Sequence, residues 1–350
     1  MSLPRLLTST TLACGLIAIL TACAPRSDQE VGEAVVNVYS ARHYSSDAQV
    51  YAAFTEETGI QINLVEANGD LLIERVKQDG LRSPADVVIT VDAGRLYRAE
   101  QAGLFQASDL NGALDQVPAT LKHPEGKWFG FATRARVIAY SAERIDPSEL
   151  HGYEDLADPK YRGRVCMRSS DNVYNQSLLA AMVEKQGEEA AEAWANGVVH
   201  NFARPPQGGD SDQISAIAAG QCDLALVNHY YYLRMARSND GDVKAQADAV
   251  TLFFPTSETE HTHVNVSGAG LAAGAPHREA AEIFLQYLLS DKSQRAFAEL
   301  TNEFPVIETV QYDNPSLAQI ADFESEPINV NALGENAGTA QRIFDRVGWP

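Results

Sequence analysis

The sequence predicts an α/β fold built as two lobes, and three features of the chain indicate it. From residue 35 onwards, short apolar segments typical of buried strands alternate with longer segments of helical periodicity. The chain has 350 residues, which is enough for two domains of ordinary size. Two extended stretches, residues 131–140 and 263–271, are long enough to cross between two lobes.

The first half of the folded chain repeats a strand–helix order three times. The predicted strands are rich in apolar residues and cover residues 35–40, 61–65 and 86–90. The predicted helices cover residues 47–58, 70–79 and 93–102. Gly59 and Gly80 follow the first two helices, where glycine commonly ends a helix. This order predicts a mostly parallel sheet with helices on both faces.

The second half also alternates strands and helices, but its sequence does not repeat that of the first half. Its predicted strands cover residues 164–167 and 223–227, and its predicted helices cover residues 176–186, 211–219 and 278–299. The second extended stretch contains Ser267-Gly268-Ala269-Gly270. We expect these glycines to absorb backbone change at a hinge near Thr133 and Val266.

The N-terminus is typical of an export signal. Arg5 precedes an apolar run at residues 12–20 that is too short to span a membrane comfortably. The run ends in Leu20-Thr21-Ala22-Cys23, which resembles a bacterial lipoprotein signal box. We therefore predict a signal peptide at 1–22, lipid on Cys23 and a lipidated polar tether at 23–34, which would hold the protein on a membrane in the periplasm. The alternative is an ordinary signal peptide with a chance cysteine.

The number of cysteines and the net charge limit the kinds of site and ligand that the protein can have. Apart from Cys14 and Cys23, only Cys166 and Cys222 are present, so a disulfide in an oxidising compartment is one prediction and two unpaired buried thiols the other. The spacing excludes a Cys-x-x-Cys zinc or redox motif. A formal charge of −20 argues against nucleic-acid binding, which needs a basic surface.

Clustered tyrosines carry the strongest functional signal. Tyr230-Tyr231-Tyr232 stand together, with Arg234 just beyond them, while His43-Tyr44 and Tyr174 are further candidates. A phenol ionises near pH 10, but a small, highly charged cation can stabilise the phenolate. The resulting hard oxygen donor suits Fe(III) better than softer metals. The alternative is that these tyrosines only pack in the core or at its edge.

Seven motifs, in order along nearly the whole mature chain, support a family resemblance. They are Val38-Tyr39-Ser40-Ala41-Arg42-His43-Tyr44, Ser83-Pro84-Ala85-Asp86-Val87, Arg134-Ala135-Arg136-Val137, Tyr174-Asn175-Gln176-Ser177-Leu178, Asn228-His229-Tyr230-Tyr231, His263-Val264-Asn265-Val266-Ser267-Gly268 and Gly348-Trp349. With them the chain resembles the FutA-type ferric-iron-binding proteins, the periplasmic components of iron ABC importers.

The resemblance implies a two-lobe periplasmic binding protein fold, with two crossing strands and iron in the cleft. We place the N-terminal lobe at 35–133 plus 263–312 and the C-terminal lobe at 134–262 plus 313–350. Motif by motif, the family's metal ligands fall on Tyr44, Tyr174, Tyr230, Tyr231 and, in some members only, His43. The transported ion would be Fe(III), with Fe(II) possible after reduction. The expected partner is the ABC transporter permease of the inner membrane, and we expect a monomer.

Other residues near these motifs receive lesser roles. Arg134 and Arg234 are candidates for holding phenolate oxygens by charge-assisted hydrogen bonds, with surface ion pairs as the alternative. Asp92 stands near a position where some relatives have a carboxylate ligand, but we interpret it first as a helix N-cap. Tyr232 matches no ligand position, and His229 is at most a neighbour of the ligands. Cys166 and Cys222 both depart from the relatives, which favours their being partners.

Two other functions remain open at this stage. A binding protein of the same architecture could take a small organic ligand such as a polyamine or an organophosphate, which calls for carboxylates or a helix-N-terminal anion site. A lipid-anchored hydrolase is the second alternative. The chain has no Gly-x-Ser-x-Gly, His-Glu-x-x-His or phosphate-loop motif, so we expect no enzyme activity.

Overall fold

Nine strands and thirteen α-helices lie in the part of the chain that the computed structural model describes, residues 34–42, 44–256 and 261–350. The strands are β1 (Val35–Ser40), β2 (Gln61–Glu66), β3 (Val87–Val91), β4 (Phe129–Tyr140), β5 (Val165–Cys166), β6 (Leu224–Asn228), β7 (Thr251–Phe253), β8 (Val264–Leu271) and β9 (Phe304–Pro305). The predicted signal peptide, Cys23, nearly all of the tether and His43 lie outside the described residues.

The helices follow the strands in the predicted alternation. They are α1 (Asp47–Thr58), α2 (Gly69–Asp79), α3 (Ala93–Gln101), α4 (Val173–Gln186), α5 (Glu188–His200), α6 (Asp210–Ala218), α7 (His229–Ala236), α8 (Gly241–Asp248), α9 (Arg278–Leu288), α10 (Asp291–Leu300), α11 (Pro315–Ala318), α12 (Asn331–Glu335) and α13 (Ala337–Val347). Short 3-10 helices cover Gly80–Arg82, Leu110–Gln116, Ala119–Leu121, Pro147–Glu149, Tyr153–Ala157 and Pro159–Tyr161.

The first lobe is built on β1, β2 and β3, which pair in parallel as predicted. Every residue of β3 is buried, so this strand has the continuous apolar character of a central strand. Helix α1 ends at Gly59, whose φ of 73° lies in the left-handed region that favours glycine. The structure therefore confirms the βαβαβα order that the periodicity of the first half predicted.

Strand β4 is the longest strand of the described chain and joins the two lobes. Its first half pairs with β8, with Thr133 opposite Val266, and its second half pairs with β6, with Ile138 opposite Leu226. All twelve of its residues are buried, including the charged side chains of Arg134 and Arg136. The two extended stretches predicted to cross between lobes are thus β4 and β8, paired side by side.

Strand direction differs between the outer and the joining strands. Pairs β1–β2, β1–β3 and β5–β6 are parallel, whereas β4 and β8 pair antiparallel with each of their neighbours. The predicted parallel pairing therefore holds for the outer strands of each lobe. The joining strands differ because one carries the chain away from the first lobe and the other brings it back, so they run in opposite directions.

Glycines on β8 permit close packing. A Cβ at Gly268 would lie 2.8 Å from the carbonyl oxygen of Phe129, and one at Gly270 would lie 2.7 Å from that of Lys127. Contacts under 3 Å are not tolerated between such atoms, so both positions need glycine for space. Their role at a hinge stays a prediction, but the structure gives them a packing role that the sequence pattern did not indicate.

Each lobe has its own apolar core. One core gathers buried residues of β1, β3, α1 and α9, including Val38, Phe54 and Phe284. Another gathers residues of β4, β6, α4, α5 and α13, including Leu224 and Phe344. The chain after α10 runs to the second core, where α13 packs against α4 and α5. The exact lobe boundaries stay a prediction.

The two remaining cysteines meet in the second lobe. Cys166 on β5 and Cys222, just before β6, form a disulfide with their Cα atoms 5.8 Å apart. Both are buried beside α6. Formation of this bond in the exported protein stays a prediction.

Within the described residues, no helix is long and apolar enough to span a bilayer.

Candidate metal centre

The tyrosines of the candidate site lie at the ends of strands and the beginnings of helices. Tyr44 follows β1 and precedes α1, and Tyr174 lies in the first turn of α4. Strand β6 ends at Asn228, so Tyr230 and Tyr231 already belong to the first turn of α7. Adjacent helical residues point about 100° apart instead of to opposite faces, so both phenols can face one point. This confirms that the chain leaves the strand before the tyrosine pair.

The structure brings all four predicted tyrosines together. The phenol oxygens of Tyr174 and Tyr230 lie 3.4 Å apart. The rings of Tyr230 and Tyr231 stack with centroids 4.4 Å apart, and the ring of Tyr44 meets that of Tyr230 edge-on at 5.9 Å. Tyr44 of the first lobe therefore contacts Tyr230 of the second, and Tyr230 in turn meets Tyr174 and Tyr231. His43 lies outside the described residues, so its part in the site stays a prediction.

Burial sets the protonation state of these phenols. Burial raises the pKa of Tyr230 well above its usual value, and the neighbouring phenols of Tyr174 and Tyr44 raise it further. Burial also raises the pKa of Tyr231, and burial followed by the charge of Glu303 raises that of Tyr44. These three phenols are therefore neutral at physiological pH until a cation displaces their protons.

Arg134 brings unused hydrogen-bond donors to the cluster. Its side chain lies on β4, is 1% exposed, and donates from Nη1 to Ser267 Oγ at 2.9 Å. Its Nε and Nη2 are buried without a hydrogen-bond partner in the described chain, and its guanidinium lies 5.6 Å from the ring centroid of Tyr174. A buried donor without a partner costs about 1–3 kcal/mol of stability. A hydrogen bond to an anionic oxygen would remove this cost.

The charge state of Arg134 follows from its surroundings. Burial alone lowers its pKa, but the phenols of Tyr174 and Tyr230, together with Glu303, outweigh burial and raise it. Arg134 is thus a permanent cation beside the phenols. Its predicted hydrogen bonds to phenolate oxygens stay a prediction.

Arg234 has a different contact from the one expected. Its side chain is exposed, and its guanidinium lies over the face of the Tyr231 ring, 4.7 Å from the centroid. This is a cation–π contact, which stabilises the ring position through its face. Its predicted hydrogen bond to a phenolate oxygen stays a prediction.

Arg42 and Glu303 complete the site, and sequence reasoning missed both. Arg42 is buried, lies 4.5 Å from the ring centroid of Tyr44, and donates to both carboxylate oxygens of Asp47 at 2.9 and 3.0 Å. It also donates to Glu303 at 2.8 Å. Burial raises the pKa of Glu303, but Arg42 and Arg134 together lower it below its usual value. Arg42 stands in the first motif, two residues before Tyr44, whereas Glu303 has no local signal.

Two further arginines, Arg136 and Arg168, lie close to Tyr174. The guanidinium groups of Arg136 and Arg168 lie 5.8 and 5.5 Å from its ring centroid, and both bind Asp210 at 2.8 and 3.1 Å. Together with Arg134, three cations surround one phenol. Three positive side chains therefore lie close to the candidate ligands.

The remaining candidates are structural. Asp92 caps α3 by accepting from the backbone of Gly94 at 2.9 Å, as predicted. Buried His229 bonds the backbone of Ala135 at 3.0 Å and that of Asn302 at 2.8 Å, and burial lowers its pKa to about 4. Tyr232 is half-buried among apolar side chains. Among the described residues, no group of three or more His, Cys, Asp or Glu could hold a metal ion, so phenols are the distinctive donors.

Comparison with known proteins identifies the family. Residues 82–324 match the family model of the bacterial extracellular solute-binding proteins. The chain belongs to this family. Its motif resemblance to the FutA-type group is confirmed by the relatives that follow.

Several known proteins are similar to this chain over most of its length. Iron uptake protein A1 of Synechocystis is 47% identical over 326 residues, covering 93% of this chain and 90% of that protein. Among solved structures, the Trichodesmium protein FutA (IdiA) in complex with iron and citrate ligands matches with a TM-score of 0.86 and 47% identity. The match covers 90% of this chain and 100% of that one. Apo FutA2 from Synechocystis matches with a TM-score of 0.85 and 47% identity, covering 90% and 99%. The two-lobe fold is thereby established.

Proposed function

We propose that this solute-binding protein captures Fe(III) in the cleft between its lobes and delivers it to the permease of an iron ABC importer. The observation that carries the proposal is the meeting of four tyrosines from two lobes, with the phenol oxygens of Tyr174 and Tyr230 3.4 Å apart. Clustered phenols suit a hard trivalent cation. The names of its relatives, which include an iron uptake protein and an iron-bound FutA, support the same cargo.

Charge balance supports phenolate binding. Four phenolates and one Fe(III) leave a net charge of −1, from four negative and three positive charges, and a buried charge needs a partner. Arg134 is buried next to Tyr174 with two nitrogen atoms unpaired in the described chain. Arg136 and Arg168 add positive field, which Asp210 offsets in part. Fe(II) has a lower charge than Fe(III) and stabilises phenolates less. We therefore assign Fe(III) as the oxidation state of the captured ion.

Organic cargo fits the site less well. A polyamine needs carboxylates facing the cleft, but Glu303, Asp92 and Asp210 are fully buried and already accept hydrogen bonds from protein donors. An organophosphate would suit the arginines but leaves the tyrosine cluster without a role. A hydrolase needs a nucleophile that substrate can reach, but Ser267 is completely buried and its Oγ already accepts hydrogen bonds from Arg42 and Arg134.

Attachment to a membrane is the second part of the proposal. Cys23 follows an apolar run and small residues, so lipid on its sulfur would keep the folded lobes in the periplasm and near the permease. We propose that the protein acts as a monomer. Replacing Cys23 with serine should release the protein from the membrane fraction, and equal membrane retention of both forms would contradict the anchor.

Ligand selectivity tests the function directly. The iron-free protein is dialysed to equilibrium against Fe(III)–citrate, Zn²⁺, spermidine or glycerol 3-phosphate. We expect one Fe(III) per chain, retained after gel filtration, and little retention of the other three. Retention of spermidine or glycerol 3-phosphate with no Fe(III) bound would replace this function by organic-solute transport.

A further inference from the structure

Asp92 lies at a strained position between β3 and α3. Its φ of 89° is in the left-handed region, which is costly for a residue with a side chain and persists only where surroundings hold it. The side chain is completely buried. Capping Gly94 uses one lone pair of Oδ1 and does not explain why the site needs a fully buried carboxylate.

Ser177 of the other lobe also bonds Asp92. Its Oγ donates to Asp92 Oδ1 at 2.5 Å, and Ser177 is itself 2% exposed. Ser177 lies on α4, three residues after Tyr174, so the two side chains share one side of the helix. This hydrogen bond therefore joins the helix that carries a candidate iron ligand to the strand end of the opposite lobe.

A joining strand braces the carboxylate. Asn265 of β8 donates from Nδ2 to Asp92 Oδ2 at 2.9 Å, and its Oδ1 accepts from the backbone of Ala93 at 2.9 Å. The backbone nitrogen of Asp92 donates to the carbonyl oxygen of Val266 at 3.0 Å. Asp92 is therefore fixed to the first lobe and to β8, and its bond to Ser177 is its one hydrogen bond to α4 in the described chain.

We propose that the Ser177–Asp92 hydrogen bond is a latch that holds the two lobes closed over the cargo. When the lobes separate, both groups return to water, so the bond favours the closed state alone. Hydrogen bonds to a charged acceptor are stronger than neutral ones, and a buried one is not screened by solvent. The latch rests on the proposed function for its cargo. It acts on retention of iron, without touching the metal.

Replacement of Ser177 by alanine tests the latch. The change removes one oxygen and keeps a good helix former on α4. Iron transfer from the loaded Ser177→Ala protein to excess chelator should be about tenfold faster than from wild type, the effect of one charge-assisted hydrogen bond. The visible band of the iron complex and the melting temperature of the iron-free protein should not change, because the ligands and the cores are intact.

Ser215→Ala is the matched control. Ser215 Oγ also lies on a helix and bonds a side-chain oxygen at 2.5 Å, that of Gln246, but α6 and α8 belong to one lobe. Its iron transfer rate should equal that of wild type. A wild-type rate in Ser177→Ala, or equal acceleration in both variants, would overturn the latch.

A measurement without iron separates the latch from the proposed function. In solution scattering, iron-free Ser177→Ala should have a larger radius of gyration than iron-free wild type, because a larger share of its molecules is open. If wild type binds no Fe(III), the proposed function fails. The latch then stands if the radius increases in Ser177→Ala, and fails if the two curves coincide.

Discussion

Single residues decide how the cleft treats a cation. The phenol of Tyr230 is 1% exposed and touches the rings or oxygens of Tyr44, Tyr174 and Tyr231. Its pKa is raised by burial first and by its phenol neighbours second. The phenol of Tyr230 therefore keeps its proton until a strongly charged ion replaces it.

The first prediction concerns the tyrosine pair. Tyr230→Phe and Tyr231→Phe each remove one oxygen, so each should weaken Fe(III) binding at least about a hundredfold with little loss of stability, because phenolate donors are lost and packing is kept. Titration of the iron-free variants measures this. Tyr232→Phe, next in sequence but half-buried in apolar surroundings, is the control and should bind like wild type. Wild-type affinity in Tyr230→Phe and Tyr231→Phe would refute the ligand assignment.

Acidification should release the iron. Burial raises the pKa of Tyr230, Tyr231 and Tyr44, so each phenol gives up a proton on binding and affinity falls as pH falls. Each released proton contributes up to about a tenfold loss per pH unit. Competition titrations from neutral pH to about pH 4 measure the slope, and a flat affinity would contradict phenolate binding.

The fold itself needs monitoring in that experiment. Burial lowers the pKa of His229 from 6.5 to about 4. Since the unfolded chain takes up this proton first, stability from a neutral His229 is complete above about pH 6.5 and is lost as pH falls towards 4. Circular dichroism at each pH separates iron release from unfolding.

At the scale of elements, the ligands lie where strands end and helices begin. The sequence predicted this for Tyr44 and for the pair on α7, because apolar runs are followed by polar, helix-forming segments. It did not predict Glu303, whose contacts with Arg42 and Ser267 join residues that are 261 and 36 positions apart in the sequence. Periodicity describes one element at a time, so such pairings across elements are outside its reach.

The disulfide between β5 and the start of β6 gives an element-scale prediction. It closes 56 residues, so loop entropy suggests a contribution of about 4 kcal/mol to the free energy of unfolding. The Cys166→Ala/Cys222→Ala protein should unfold at lower urea concentration and bind Fe(III) as wild type does, because neither cysteine is a candidate ligand. Mass spectrometry of non-reduced periplasmic protein checks the bond. Two freely alkylated thiols would refute it.

At the scale of the whole molecule, the two lobes and the strands that join them could be predicted only in part from the sequence. Length, alternation and two extended stretches were enough to predict two lobes. They could not give the antiparallel pairing of β4 with β8, because strand direction depends on how the chain returns. Nor could they give the arginine groups around Tyr174, which assemble from β4 and from the loop after β5.

Closure on iron is the whole-molecule prediction. Tyr44 belongs to the first lobe and Tyr174, Tyr230 and Tyr231 to the second, so one ion bound by all of them favours the closed state. Solution scattering should give a smaller radius of gyration with Fe(III) than without. If the scattering curves with and without bound iron are identical, iron does not close the lobes. The permease then cannot recognise the loaded protein by its closed form.

The visible absorption spectrum tests the central claim, that Fe(III) is held by tyrosine phenolates. Charge transfer from phenolate to Fe(III) absorbs visible light, so adding one equivalent of Fe(III) to the colourless protein should produce a red or purple band. The band should fade when a strong chelator removes the iron, and it should weaken in Tyr230→Phe. Fe(III) bound at one ion per chain with no such band would contradict the account.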